Sequence, residues 1–533
     1  MNFKFAARAF LLPFALFTFL PSALAQDLPL TDVKPGLEGI ALTAGAGNVL
    51  QRFEVRVLDT VDDPRGFPLI LVRGSGAWLD AVGGIGQGFS GSPVYIGGRL
   101  LGAISGGFPN ADHRLALVTP ISAMRRAQQP PTALELALPI KQHCIADIGC
   151  AEPLALPFSS FGLTPKAQNL LLEGLRAKGY ALELQQGSGA QTANRPYKLE
   201  PGAAIAAQLA TGDVSLGAIG TITTIEKNQI LAFGHPVFAD LRARFIAMPA
   251  YISTIIPSQV VPYKIGAATG SPIGIFSTDH PAGIAGTLGA NNGLPLEISL
   301  KRGTNTKNLK ILLAPVEDLY ANLTLASVSS GIEQLLEGSG PGLARLGISL
   351  EFADRPSVTL REVVTGDDVA RAAGVRAALM TALITENPYR ESRLKKISLE
   401  IEISAYSSLR VIKLEPEKKM VKPNELAVIN LRLQAYRSAV IVKRILYKAP
   451  SEEGQYRLRV RGAATPRPQN ELENPDPWDG ILTLDELLER LKSRIKDSDL
   501  VVETLRPEPV IVGLERFDVP VTGWGYIDVT VQK

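Results

Sequence analysis

Polar and apolar residues alternate over much of this chain, and a period of two predicts strands rather than helices. Phe53-Glu54-Val55-Arg56-Val57-Leu58 alternates in this way, and Pro68-Leu69-Ile70-Leu71-Val72-Arg73 reads as a second strand. Val94-Tyr95-Ile96, the pair Gly97-Gly98 and the following Arg99 to Ser105 read as strand, two-glycine hairpin and strand. Leu115 to Val118 adds another, running into Thr119-Pro120-Ile121. Roughly ninety residues thus hold about six short strands, enough for one small barrel over 26–125.

Residues 126–200 break the pattern. Pro130-Pro131 interrupts the chain, and Thr164-Pro165 supplies an N-cap and a first-turn proline to a helix carrying Leu170, Leu171 and Leu175, with Gly179 as its stop. Gln185 to Asn194 is polar and loop-like, so this region reads as a connector. Strand patterning returns at Pro201-Gly202 and continues to about residue 300, through Ala203 to Leu209, Gly217 to Thr223 and Gln229 to Phe233, giving a second barrel half. Beyond it, 301–395 predicts strands at Lys310 to Pro315 and Ile348 to Phe352. An alanine-rich helix follows over Asp367 to Thr385, with Val369, Ala373 and Leu379 on its apolar face. Ile397, Leu399, Ile401 and Ile403 alternate strictly, as do Ile429, Leu431 and Leu433, and with Tyr456 to Val460 they predict a sandwich-like domain at 396–466. The final segment, 467–533, reads as a proline- and asparagine-rich linker, a helix opened by the capping box Thr483 to Glu486, and terminal strands around Val510 and Ile527.

Composition narrows the class. The 533 residues are 46% hydrophobic and 20% charged, ordinary globular material, and 49 glycines with 38 prolines suit a mainly β chain with many turns. The first 25 residues have the form of a secretory signal: Lys4 and Arg8, an apolar stretch from Ala9 to Leu20, and Ala23-Leu24-Ala25 as a small-x-small cleavage site before Gln26. An exported protein, periplasmic or extracellular, is therefore expected, with a retained anchor as the alternative and no membrane span after cleavage. The net charge of +3 falls close to zero once that segment leaves, so no electrostatic case for nucleic acid exists. The two cysteines, Cys144 and Cys150, sit in His143-Cys144-Ile145-Ala146-Asp147-Ile148-Gly149-Cys150. In an exported chain a small-loop disulfide is the expectation; a metal site using His143 lacks a fourth ligand nearby.

The candidate chemistry lies in Gly83-Gly84-Ile85-Gly86-Gln87-Gly88-Phe89-Ser90-Gly91-Ser92-Pro93. Glycines let the chain turn tightly around one serine, present its hydroxyl and converge the N–H groups of Gly88 and Ser90 on a developing oxyanion. The plain alternative is a Gly/Ser turn between two strands. Only four histidines exist (His113, His143, His235 and His280), so few groups could act as a base for Ser90. His235 stands between Gly234 and Pro236 at the end of an apolar strand, where a structural role is the ordinary reading. Asp279 and His280, from composition alone, read as a surface turn. Asp80 lies nearer the glycine loop. No catalytic constellation stands out beyond residue 300.

Three stretches together resemble the SpoIVB peptidase family of trypsin-like serine peptidases. They are Gly83 to Ile96 with Gly88-Phe89-Ser90-Gly91-Ser92-Pro93, then Ser105-Gly106-Gly107-Phe108 followed by Val118-Thr119-Pro120-Ile121, then Gly220-Thr221-Ile222-Thr223 followed by Leu231-Ala232-Phe233-Gly234-His235. The family commonly has methionine at the Phe89 position. The resemblance covers about 36 to 300 and implies a trypsin-like double β-barrel. Ser90 would be the nucleophile, His235 the general base and Gly88 and Ser90 the oxyanion donors, with no cofactor or metal and a peptide or protein as substrate. It departs in one respect: here the serine half precedes the histidine half. The family's acid position falls close to Ser75, which cannot serve. The resemblance therefore leaves Asp279, forty-four residues after His235, ahead of Asp80 as the third member, with a dyad lacking an acid still open. Two functions follow as expectations: an exported serine endopeptidase acting on envelope proteins or on itself, or a non-catalytic peptidase-like scaffold whose C-terminal sandwich binds an envelope partner.

Overall fold

The computed structural model of the protein describes residues 26–62, 66–109, 111–129, 143–145, 149–180, 182, 184, 195–238, 243–289, 293–389, 392–465, 480–505 and 510–533, with backbone only at 143–145 and 149–151. The expected signal segment, the Pro130-Pro131 break, the polar stretch 185–194 and the linker Arg467 to Trp478 lie outside the described residues.

The chain is mainly β. Its first unit joins six strands: β1 (Glu38–Ala44), β2 (Leu50–Val61), β3 (Leu69–Ser75), β4 (Pro93–Ile96), β5 (Arg99–Gly107) and β6 (Leu115–Pro120). Their order is β4-β1-β2-β3-β6-β5, and β5 pairs back onto β4, so the six form a ring. The alternation read in β2 turns Phe53, Val55 and Val57 inward, where Ile70, Val72, Val94, Ile104 and Val118 meet them. Gly97 and Gly98 take the positive φ values of a tight hairpin between β4 and β5.

The connector is not a free tether. β7 (His143–Ile145) and β8 (Gly149–Pro153) form a hairpin whose second strand pairs with β5, and β9 (Phe158–Phe161) pairs with a strand of the second ring. The helix Pro165–Ala177 follows, capped by the Thr164 hydroxyl accepting from Ala167 N–H, as its sequence predicts.

The second ring comprises β10 (Ala204–Gly212), β11 (Ser215–Glu226), β12 (Gln229–Ala232), β13 (Phe245–Ile256), β15 (Gly274–His280) and β16 (Gly283–Leu288), with β14 (Tyr263–Ala268) outside it on β13. The order β10-β11-β12-β16-β15-β13 closes through β13 pairing with β10. From β10 the same sheet runs on through β18 (Asn305–Leu313) and β17 (Leu294–Arg302), then to strands contributed from beyond residue 340: β19 (Gly342–Phe352), β20 (Val358–Gly366) and β21 (Leu394–Ser404). Two antiparallel-packed helices, Glu317–Leu336 and Val369–Thr385, cover this extension. In the second helix Val369, Ala373, Ala377 and Met380 are buried, whereas Leu379, expected on the apolar face, is 47% exposed.

The sandwich boundary needs correcting. Ile397, Leu399, Ile401 and Ile403 belong to β21, which lies parallel to β17 in the large sheet, because their buried face meets the core of the first 400 residues. The sandwich begins at Leu409 and takes in the terminal strands: Leu409–Pro416, Leu426–Ala435, Val440–Lys448 and Val521–Thr522 make one sheet, and Met420–Val421, Gly454–Gly462, Asp499–Thr504, Val510–Arg516 and Trp524–Val531 the other. Its core, with Ile429, Leu431, Leu433, Leu458, Val460 and Ile527, is separate from the first. The helix Leu484–Ser493 inserts Leu484, Leu487, Leu488 and Leu491 into the first core instead. Among the described residues no helix is long and apolar enough to cross a membrane.

Candidate active site

Ser90 and His235 meet where the two rings abut. Ser90 ends a loop that leaves the short helix Ala77–Ala81 and enters β4. Gly88 at φ +87° and Gly91 at φ +91° bend the loop on either side of the serine. Gly91 is also where the rings touch: a Cβ there would lie 2.0 Å from the Thr221 carbonyl oxygen and 2.5 Å from the Phe233 nitrogen. Backbone and hydroxyl groups of β11 grip the loop. Thr221 N–H donates to Ser90 O at 2.8 Å, Thr223 Oγ1 to Gly91 O at 2.8 Å and Thr221 Oγ1 to Gly88 O at 3.1 Å. The Gly220-Thr221-Ile222-Thr223 motif is thus the dock for the serine loop.

His235 follows β12, where Phe233 (φ +69°) and Gly234 (φ +70°) turn the chain sharply. A positive φ at phenylalanine is strained backbone, held because its ring is fully buried beneath Gly220 and its N–H donates to Thr221 O at 3.3 Å. The Gly234 carbonyl accepts from Thr119 Oγ1 at 2.7 Å, and that hydroxyl lies 2.8 Å from Ser105 Oγ. His235 Nε2 is 2.8 Å from Ser90 Oγ, and both residues are buried, 3% and 0% exposed. The other ring nitrogen, Nδ1, lies 2.8 Å from the Pro236 carbonyl oxygen. A carbonyl only accepts, so Nδ1 carries the proton and Nε2 faces the serine hydroxyl with its lone pair, the tautomer that can remove the hydroxyl proton. The N–H groups of Gly88 and Ser90 have no backbone acceptor among the described residues.

Asp279 is fully buried at the end of β15, not in a surface turn. Its Oδ1 accepts from Val237 N–H and its Oδ2 from Phe238 N–H, both at 2.7 Å. Both donors lie within three residues of His235, so the carboxylate fixes the segment that carries the histidine. Asp80, the alternative, is exposed on the helix Ala77–Ala81. Ser75 is also exposed, with its hydroxyl 3.4 Å from Glu54. His280 is buried and accepts from Ala282 N–H at 3.0 Å, and His113 Nε2 lies 3.2 Å from Gln259 O. The backbone register sets Cys144 opposite Cys150 across the β7–β8 hairpin; their side chains lie outside the described residues.

Sequence reading missed Lys264. It lies on β14 beneath the glycine loop, 1% exposed, with its stem against Gly88. Its Nζ donates to Thr43 Oγ1 at 2.7 Å and stands 4.6 Å from the centre of the Phe89 ring. Thr43 in turn accepts from Ser92 Oγ at 2.9 Å. Burial pushes this amine down from 10.5 to about 7. A signal existed: in Tyr263 to Ala268 the period-two phase places Lys264 with Gly266 and Ala268 on the inward face. Gln87 N–H bonds Pro262 O and Lys264 N–H bonds Gln87 O, which seats β14 against the loop. Among the described residues no three His, Cys, Asp or Glu side chains group as a metal site. Comparison of the chain with family models, curated proteins and solved structures gave no match.

Proposed function

We propose that the protein is a serine peptidase with a trypsin-like pair of barrels in exchanged order, Ser90 as nucleophile and His235 as general base. The observation that carries this reading is the 2.8 Å approach of Ser90 Oγ to the Nε2 of a histidine whose Nδ1 faces a carbonyl. In the proposed reaction Ser90 Oγ attacks a peptide carbonyl while its proton passes to His235 Nε2. The N–H groups of Gly88 and Ser90 receive the oxyanion, the histidine returns the proton to the leaving amine, and water releases the acyl group by the same steps. Asp279 acts through backbone: two charge-assisted bonds hold residues 237 and 238, and with them the ring of His235. The proposed setting is outside the cytoplasm, after removal of residues 1–25.

The test is prolonged labelling of the full chain with a fluorophosphonate probe. Wild type is expected to take up one equivalent and Ser90→Ala none. No uptake by folded wild type and by a variant with the site opened, described below, would favour the non-catalytic scaffold.

A further inference from the structure

The edge of β5 beside the site carries a strand of the protein itself. Along that edge, Ala103 faces Pro93 of β4, and Ile104 bonds the serine loop: Gly91 N–H donates to Ile104 O at 2.8 Å, and Ile104 N–H to Ser92 O at 3.0 Å. The next position, Ser105 O, accepts from Leu154 N–H at 3.1 Å. Gly106 then faces Pro153 and Gly107 faces Glu152, antiparallel. Glu152 to Leu154 therefore continues the edge from which β4 departs, with Leu154 next to the serine turn. Any extended peptide presented to Ser90 from this side would add to the same backbone groups, as in strand addition to an open sheet edge. Leu154 is anchored there. It is 6% exposed and packs on Gly107, where a Cβ would come within 2.9 Å of its Cδ2, beside a cavity of about 70 Å³ whose lining includes Ile85, Gln87, Phe108, His113 and Leu115. Glu152 and Pro153 are exposed. The Gly88 and Ser90 donors take no carbonyl from this strand among the described residues, so the strand lies along the edge beside the serine loop without being held for attack.

We infer that Glu152–Leu154 is a built-in substrate mimic that occludes the peptide groove, and that the groove takes extended peptides with an aliphatic residue immediately before the cleaved bond. This rests on the serine peptidase reading. The leucine seated at the cavity, with Ile85, Phe108 and Leu115 around it, sets the preference; an acidic side chain placed against these groups would give up hydration that they cannot replace.

The experiment compares full-length wild type, Leu154→Asp, Leu154→Ala and Ser90→Ala, using fluorophosphonate uptake and a fluorogenic peptide ending Glu-Pro-Leu before the dye. Freeing the groove raises the competent fraction, so Leu154→Asp should react roughly tenfold or more faster than wild type, with Leu154→Ala between them. Ser90→Ala should be silent, and a peptide with aspartate in place of leucine should be a poor substrate. The milder alanine variant keeps the test valid if the aspartate variant does not fold. Equal rates in wild type and both Leu154 variants would overturn the occlusion and leave the peptidase standing. A wild-type fragment ending at Leu154 would overturn it too, making the segment a substrate. Equal turnover of the aspartate peptide would overturn the preference. Silence in every folded variant would instead remove the peptidase reading.

Discussion

The two rings contribute to the site in opposite ways. The serine ring offers a loop: Ser90 stands outside any strand, and glycines at positive φ let its backbone run against its neighbour. The histidine ring offers a strand end, and strain at Phe233 with the buried Asp279 carboxylate fixes where His235 points. One half is shaped by backbone freedom and the other by side-chain burial. Neither half is a site alone, because Ser90 Oγ and His235 Nε2 come from different rings, joined at the serine loop by main-chain groups and the hydroxyls of Thr221 and Thr223. A hydrogen-bonded pair built across a seam is only as ordered as that seam.

Five measurements test this contrast. The largest effect belongs to the pair itself: Ser90→Ala or His235→Ala should lower acylation by roughly four to six orders of magnitude, and the double variant little further, since the two act as a unit. Next is the seam. Gly91→Ala forces a Cβ to 2.0 Å from a carbonyl oxygen, so kcat/KM should fall about a hundredfold or more through misplacement of Ser90. A thermal melt should show the loss of stability alongside.

Asp279→Asn tests the histidine ring. It turns one acceptor into a donor facing a backbone N–H, and each hydrogen bond to a charged group is worth about 1.5–3 kcal/mol. Stability and acylation should fall together, whereas Asp80→Asn, on an exposed carboxylate, should change neither. Loss of acylation in Asp80→Asn alone would reverse the assignment.

Lys264 tests the serine ring through pH. The unfolded amine holds its proton up to 10.5 and the folded one only to about 7. Between those values the unfolded state binds more protons, so this residue makes stability rise with pH from about 7 to 10.5 and stay flat below. Lys264→Met should flatten that slope in melts taken across the window. The smallest effect is expected of the cysteines. Denatured, unreduced protein should show no reactive thiol, and Cys144→Ser with Cys150→Ser should cost at most about 2 kcal/mol because the loop is short. Two titratable thiols would remove the bridge.

Much of this was legible along the chain. Strands β2 to β6 of the first ring, the Gly97-Gly98 hairpin, the capped helix at Thr164 and the serine loop are written in local pattern and in residues whose backbone preferences act within a few positions; β1 lies in a glycine-bearing stretch, Gly36 to Arg52, that reads as turns. Ser90 could be singled out by the glycines that flank it, and His235 by the family resemblance, since scarcity alone left four histidines. The helix Glu317–Leu336 could not, because it is buried on most sides and carries Ser327, Ser329, Ser330 and Gly331 where it packs closely, which erases the amphipathic period. The true origin of the sandwich was hidden for a related reason: alternation marks a strand but not which sheet receives it, so Ile397 to Ile403 looked alike for either.

Local sequence, then, set the candidate residues and the turns that present them. Tertiary structure decided which came together. Asp279 became a buried clamp, Lys264 an amine beneath the loop and Leu154 a neighbour of Ser105 on β5 only through contacts between segments tens to hundreds of residues apart. Those contacts depend on ring closure and on the docking of one ring against the other, and such long-range pairings have no period along the chain.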